Sequence, residues 1–129
     1  MSESNGSLSR DAFLRAKDVV IAKVVFPESI PELAGQAMYV RTMKARDRDA
    51  FEASRVRLTE DRKAELVTDN TRARLVSMTA CDAGGVLLFT EGDIEALGEK
   101  NALAMDVLYE EALRVNAMRT QDLEKKLKN

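Results

Sequence analysis

The apolar positions of this chain change period along its length. From Val19 to Phe26 the chain reads VVIAKVVF, dominated by β-branched residues and stopped by Pro27. Such a run predicts a strand. PESIPELAGQ follows, with Pro27, Pro31 and Gly35 as loop punctuation. Ala37 to Met43 then alternates: Met38, Val40 and Thr42 fall on one face, Tyr39, Arg41 and Met43 on the other. A period of two predicts a second strand, paired with the first as a hairpin over about 19–43.

From Lys44 the period becomes helical. KARDRDAFEASRVRL is charged, with Ala50, Phe51 and Leu58 as apolar anchors. Phe51 lies eight residues after Met43 and Leu58 seven after Phe51, which keeps one helical side. The polar stretch Thr59–Thr68 is expected to loop. Asp69 is expected to cap a helix through Arg72, Leu75, Val76 and Thr79. CDAGG (81–85) ends it, its glycines supplying the left-handed conformations of a tight reversal. Val86–Phe89 reads as a small strand or a buried extended link. Thr90 and Asp93 fit a capping box ahead of a short helix with Ile94 and Leu97.

Gly98 separates that helix from a longer one over Glu99–Asn116. There Ala104, Met105, Leu108, Ala112 and Val115 form an apolar stripe, expected to be core first. Thr120 is expected to cap a last helix to Leu127. At the other end, Ser9 is expected to cap a short helix over Arg10–Lys17, after a disordered lead-in at 1–7. The sum is an α+β fold, predominantly helical. One domain is expected over 8–129, with an N-terminal β-hairpin and a helical part over about 44–127.

Composition narrows the function classes. The chain has 129 residues, 45% hydrophobic and 33% charged, which is enough apolar content for a core. Aromatics are only 5%, so the core must rest on aliphatic residues, alanine and methionine. The apolar run at 19–26 is interrupted by Lys23 and is too short to span a bilayer, so no membrane partner is expected. Met1–Ser9 has no apolar h-region, so no signal peptide is expected, and the single cysteine makes the cytosol the default setting.

Charge is distributed unevenly. Residues 41–63 hold eight basic and five acidic residues, net +3; residues 82–111 hold eight acidic residues against one lysine, net -7. A dipolar domain of this kind can self-associate head to tail or offer opposite faces to two partners; two ordinary solvated faces are the plainer reading. The 41–63 segment is also what a small nucleic-acid-associated regulatory protein would use. Asp47, Asp49 and Glu52 interrupt it, and Arg48 with Glu52 fits intrahelical pairing better, so nucleic acid is not the expected partner.

Candidate chemistry is sparse. There is no histidine, which removes the usual general base and the commonest metal ligand. Cys81 has Asp82 beside it and no imidazole to activate it, so it reads as a buried small hydrophobe. Asp82-Ala83-Gly84-Gly85 lacks the alternating oxygen ligands of a calcium loop and the lysine of a phosphate loop; it reads as a turn. Glu110 with Glu111, and Asp93 with Glu95, read as solvated helix surface rather than acid–base pairs. No catalytic, cofactor or metal residue is therefore expected. The expected activity is non-enzymatic and protein-binding, through an apolar helical stripe near the C-terminus: Met105, Leu108, Tyr109, Val115, Met118 and Leu123.

The order of motifs resembles the tail assembly chaperones of long-tailed bacteriophages. The residues carrying the likeness are Ile30–Met43 (IPELAGQAMYVRTM), Arg48–Glu52 (RDAFE), Thr71–Val76 (TRARLV), Leu88–Lys100 (LFTEGDIEALGEK) and Asn116-Ala117-Met118. The chain departs from the family pattern at Ala34, where a second glycine is usual, and at Lys44–Asp47. The resemblance implies a chaperone that binds the long, apolar, helical tape measure protein and keeps it soluble. It implies recruitment of the major tail protein during tube assembly, action in the host bacterial cytoplasm and absence from the mature virion. It implies too that this chain is the short, non-frameshifted form.

Overall fold

A computed structural model describes residues 6–128. The lead-in expected over 1–7 thus lies outside the described residues, apart from Gly6 and Ser7. Helix α1 (Arg10–Arg15) begins where Ser9 Oγ accepts from Ala12 N–H at 3.1 Å, so the expected cap is present. The expected hairpin is also present. Strand β1 (Ile21–Val25) pairs antiparallel with β2 (Ala37–Arg41), with Val24 opposite Met38 and Ala22 opposite Val40. The loop between them closes through Phe26 N–H to Gln36 O (2.9 Å) and Gly35 N–H to Phe26 O (3.0 Å). Gly35 sits at φ +77°, where a side chain would be strained.

Helix α2 (Ala45–Ser54) is shorter than the charge pattern predicts. Ser54 Oγ turns back to donate to Phe51 O (2.6 Å), and β-branched Val56 opens an extended strand instead. Leu58 therefore belongs to β3 (Val56–Leu58) and is 73% exposed, and Ala50 is exposed as well; of the three expected anchors only Phe51 is buried. The expected loop at 59–68 contains β4 (Ala64–Leu66), which forms a second antiparallel hairpin with β3.

Helix α3 (Thr71–Thr79) is preceded by Asn70, not capped by Asp69; Asn70 adopts φ +54° and makes no side-chain cap bond. A reason is visible across the fold. A Cβ at Gly98 would overlap Asn70 Oδ1, so this side chain packs against the bare backbone of Gly98 instead. Beyond α3 the chain continues into β5 (Ala80–Cys81), a third strand on the far edge of β2 that the CDAGG reading did not anticipate. Asp82 Oδ1 then accepts from Gly84 N–H (2.9 Å) and Val86 N–H (3.0 Å), so a turn reverses the chain. The 86–89 segment is an extended link with one bridge, Leu87 to Cys81.

The capping box forms: Thr90 N–H donates to Asp93 Oδ2 at 2.8 Å, ahead of a 3₁₀ turn (Glu91–Asp93) and helix α4 (Ile94–Gly98). Helix α5 (Ala102–Val115) starts later than expected because Asn101 Oδ1 accepts from Leu103 and Ala104 N–H groups at 2.8 and 3.1 Å. Helix α6 (Thr120–Lys128) begins at Thr120, but its opening contact comes from Asp122 Oδ2, which accepts from Arg119 N–H at 3.2 Å.

The result is an α+β fold, mainly helical, with the sheet in the order β1-β2-β5 packed on α3 and α5. Val24, Phe26, Val40, Val76, Met105 and Leu108 form the central cluster. Each such side chain, fully buried, contributes about 1.5–3 kcal/mol. A second cluster of Phe51, Leu75 and Ala112 lies where α2, α3 and α5 meet. Among the described residues, no helix is long and apolar enough to cross a membrane.

Candidate functional site

The second cluster is open on one side. Tyr109, Leu113 and Met118 pack against this cluster only partly buried, and α6 begins beside them. Together with Arg55, Glu110, Arg119, Thr120 and Gln121 they enclose a groove of ≈ 520 Å³. Phe51, Tyr109, Leu113 and Met118 lie at its base, and charged and polar side chains supply most of its exposed surface. The local sequence produces this shape. Tyr109 and Leu113 are four residues apart and share one side of α5. Ala117 at φ +53° then breaks the helix and turns Met118 back over Phe51.

Asn116 fixes that turn. Its Oδ1 accepts from Met43 N–H at 2.8 Å, and its Nδ2 donates to Arg41 O (3.3 Å) and Ala112 O (2.9 Å). Arg48 Nη1 also donates to Asn116 O at 3.4 Å. The end of α5 is thereby tied to the β2–α2 junction, and the groove's two walls are held at a fixed spacing.

Electrostatics at the rim come from fixed pairs. Arg55 lies over the Phe51 ring, 5.8 Å from its centroid, and Arg72 lies at the same distance over Tyr109 while pairing with Asp106. Arg119 chelates Asp122 through Nε–Oδ2 (3.0 Å) and Nη2–Oδ1 (3.3 Å). The hydrogen bond from Arg119 holds the Asp122 carboxyl below its usual range. Arg114 does the same to Glu111, through contacts of 2.8 and 2.5 Å. Both carboxylates stay charged at neutral pH and are not poised for proton transfer.

The six residues expected to form the partner-binding stripe are distributed unequally. Met105 and Leu108 are 5% and 4% exposed, inside the central core. Val115 is half-buried against that same core. Tyr109 and Met118 line the groove. Leu123 stands on α6, and its side chain lies outside the described residues. The expected set did not include Phe51, which is core as expected and also lies at the base of the groove, nor Leu113, Arg55 and Arg119. Leu113 had a signal, its spacing of four from Tyr109. Arg55 and Arg119 had none, because a groove rim joins parts of the chain 64 residues apart (119 minus 55).

Elsewhere the candidate chemistry falls as follows. Cys81 is fully buried in β5; burial pushes its thiol up, Arg41 opposes this and Asp82 adds to it. Among the described residues, no three Cys, Asp or Glu side chains are grouped to hold a metal ion. Within the basic 41–63 segment, Arg41 donates to Gly85 O (2.6 Å), Arg48 pairs with Glu52 (3.1 Å) and Arg57 with Glu65 (2.8 Å).

No protein-family model matches the chain, and no curated protein matches it. Among solved structures it is similar to the tail assembly chaperone of bacteriophage HK97, with a TM-score of 0.53 and 17% sequence identity. The similarity covers 81% of this chain and 90% of that one. At that identity the likeness is one of fold: the chain shares the architecture of a phage tail assembly chaperone along most of its length.

Proposed function

We propose that this chain is a tail assembly chaperone that binds an apolar helical segment of a phage tape measure protein in the α2/α5/α6 groove. The observation that carries the reading is an open, methionine- and aromatic-floored groove on a chain with this fold. A helix laid in a groove presents anchors at i, i+3, i+4 and i+7, and flexible methionine accommodates many such sequences. A long apolar helix aggregates unless covered, and many weakly bound copies of a small module cover it through avidity. Tyr109, Met118 and Leu123 make the direct contacts in this scheme. Val115 lies beside them, and Met105 and Leu108 support α5 from within the core. The chaperone then helps recruit the major tail protein and leaves in the host bacterial cytoplasm before the virion is complete.

The test is co-expression with the tape measure protein. Wild type is expected to keep it soluble, and Leu113→Glu with Met118→Glu to lose most of that capture while keeping the wild-type circular dichroism spectrum. Undiminished capture by the folded double variant refutes the groove; a tape measure protein left insoluble by wild type refutes the chaperone role.

A further inference from the structure

Helix α1 has no place on its own molecule. It is six residues long and buries none of them; Leu8, Phe13 and Leu14 are 66%, 62% and 63% exposed. The link to β1 is exposed too. A capped helix this short is marginal in water, and ordering three large apolar side chains there gains nothing unless a surface receives them.

A receiving surface exists on the same chain. Between α2, α3 and the 87–94 segment lies a second pocket of ≈ 320 Å³, which shares only Phe51 with the α5 groove. Phe51, Met78, Phe89 and Ile94 supply apolar walls, and Asp47 and Glu91 stand along it. Arg74 lines it as well, and its Nε and Nη2 are buried without a hydrogen-bond acceptor.

We propose that residues 8–15 of one copy dock in this pocket of a second copy. The charges are complementary: Phe13 and Leu14 enter the apolar pocket, and Arg10 and Arg15 meet Asp47 and Glu91. Complementary charge fixes the orientation of such a contact, while the buried aromatic and aliphatic side chains carry its affinity. The occupant is a second copy because every copy carries both surfaces, and α1 buries none of its residues on its own body. The contact is heterologous, so it links copies in a chain or ring. It requires no tape measure protein, and it meets the groove on α5 only at Phe51.

Sedimentation equilibrium of the purified protein over a wide concentration range tests this. Wild type is expected to gain mass with concentration. Phe13→Ser with Leu14→Ser removes only exposed arm side chains; Ala50→Arg fills the pocket mouth from an exposed helical position, and Glu91→Lys is a second pocket variant should the first unfold. Each is expected to weaken association by about tenfold or more. The decisive arm is a mixture: arm-deficient copies keep the pocket and pocket-filled copies keep the arm, so equal amounts of both are expected to regain one interface as a heterodimer. A wild type that stays monomeric, an arm variant that associates normally, or a mixture that fails to complement each overturns the proposal. A monomer in which the arm variant shifts pocket amide resonances also overturns it, since the arm then sits on its own chain.

Discussion

Replacing Asn116 by alanine removes an acceptor and a donor where the two walls of the α5 groove meet. Met43 N–H loses its partner at 2.8 Å and Arg41 O loses the amide at 3.3 Å. Ala112 O loses one donor but retains Asn116 N–H at 3.2 Å, so it adds little. Asn116 is half-buried, so water partly reaches the vacated groups and the cost falls toward the low end of the range for unsatisfied groups, about 1 kcal/mol each. Two such groups give a loss of about 2 kcal/mol, or roughly 6 °C in Tm for a chain of this size. Urea unfolding measures the total, and amide exchange at Met43 reports the specific bond. Asn116→Asp keeps the acceptor for Met43 N–H and is expected to preserve that amide's protection, whereas Asn116→Ala loses it. A stability change under about 0.5 kcal/mol, or unaltered Met43 exchange in the alanine variant, refutes the clamp.

Three further perturbations follow from particular geometries. Ala117 holds φ +53°, so Ala117→Gly is expected to raise the melting midpoint, by up to about 1 kcal/mol in stability, in calorimetry. Gly98→Ala is expected to cost under about 1 kcal/mol in urea unfolding, because the overlapping atom is the end of the Asn70 side chain, which makes no cap bond and can rotate away; a loss of several kcal/mol refutes this. Burial raises the Cys81 thiol above its ordinary value, so the folded state holds this proton where the unfolded chain releases it. Stability from this source is complete below the unfolded thiol pKa of about 8.5 and declines as pH rises past it; Cys81→Ala is expected to flatten that decline in denaturation measured from pH 7 to 10.

Much of the architecture was legible because local signals were strong. The β-branched run ending at Pro27, the alternation at 37–43 and the TEGD box each specify conformation within a few residues. The stripe Ala104–Met105–Leu108–Ala112 gave the buried side of α5 correctly. The β3–β4 hairpin was not legible: its strands are three residues each, and its turn places Arg62 rather than glycine at φ +62°. Strand β5 was missed because two residues carry no periodicity; only pairing with β2, some 40 residues earlier, makes them a strand. Asn70 gave no local hint of its contact with Gly98, and Asn101 was a legible cap masked by the helical continuity of its neighbours. For the groove, periodicity identified Tyr109 and Met118 but could not separate the rim of an apolar stripe from its buried centre. That separation depends on what packs above α5, which is tertiary information.

The β3–β4 hairpin has a practical consequence. All six strand residues are exposed, Arg57 and Glu65 pair on one side, and the turn at 59–63 closes through Thr59 N–H to Lys63 O (2.9 Å). The tip between Glu60 and Asp61 can therefore carry an inserted fluorophore tag or epitope at little thermodynamic penalty, because no core side chain shifts. No residue of 56–66 lines either recess, so a reporter placed there replaces no recess side chain.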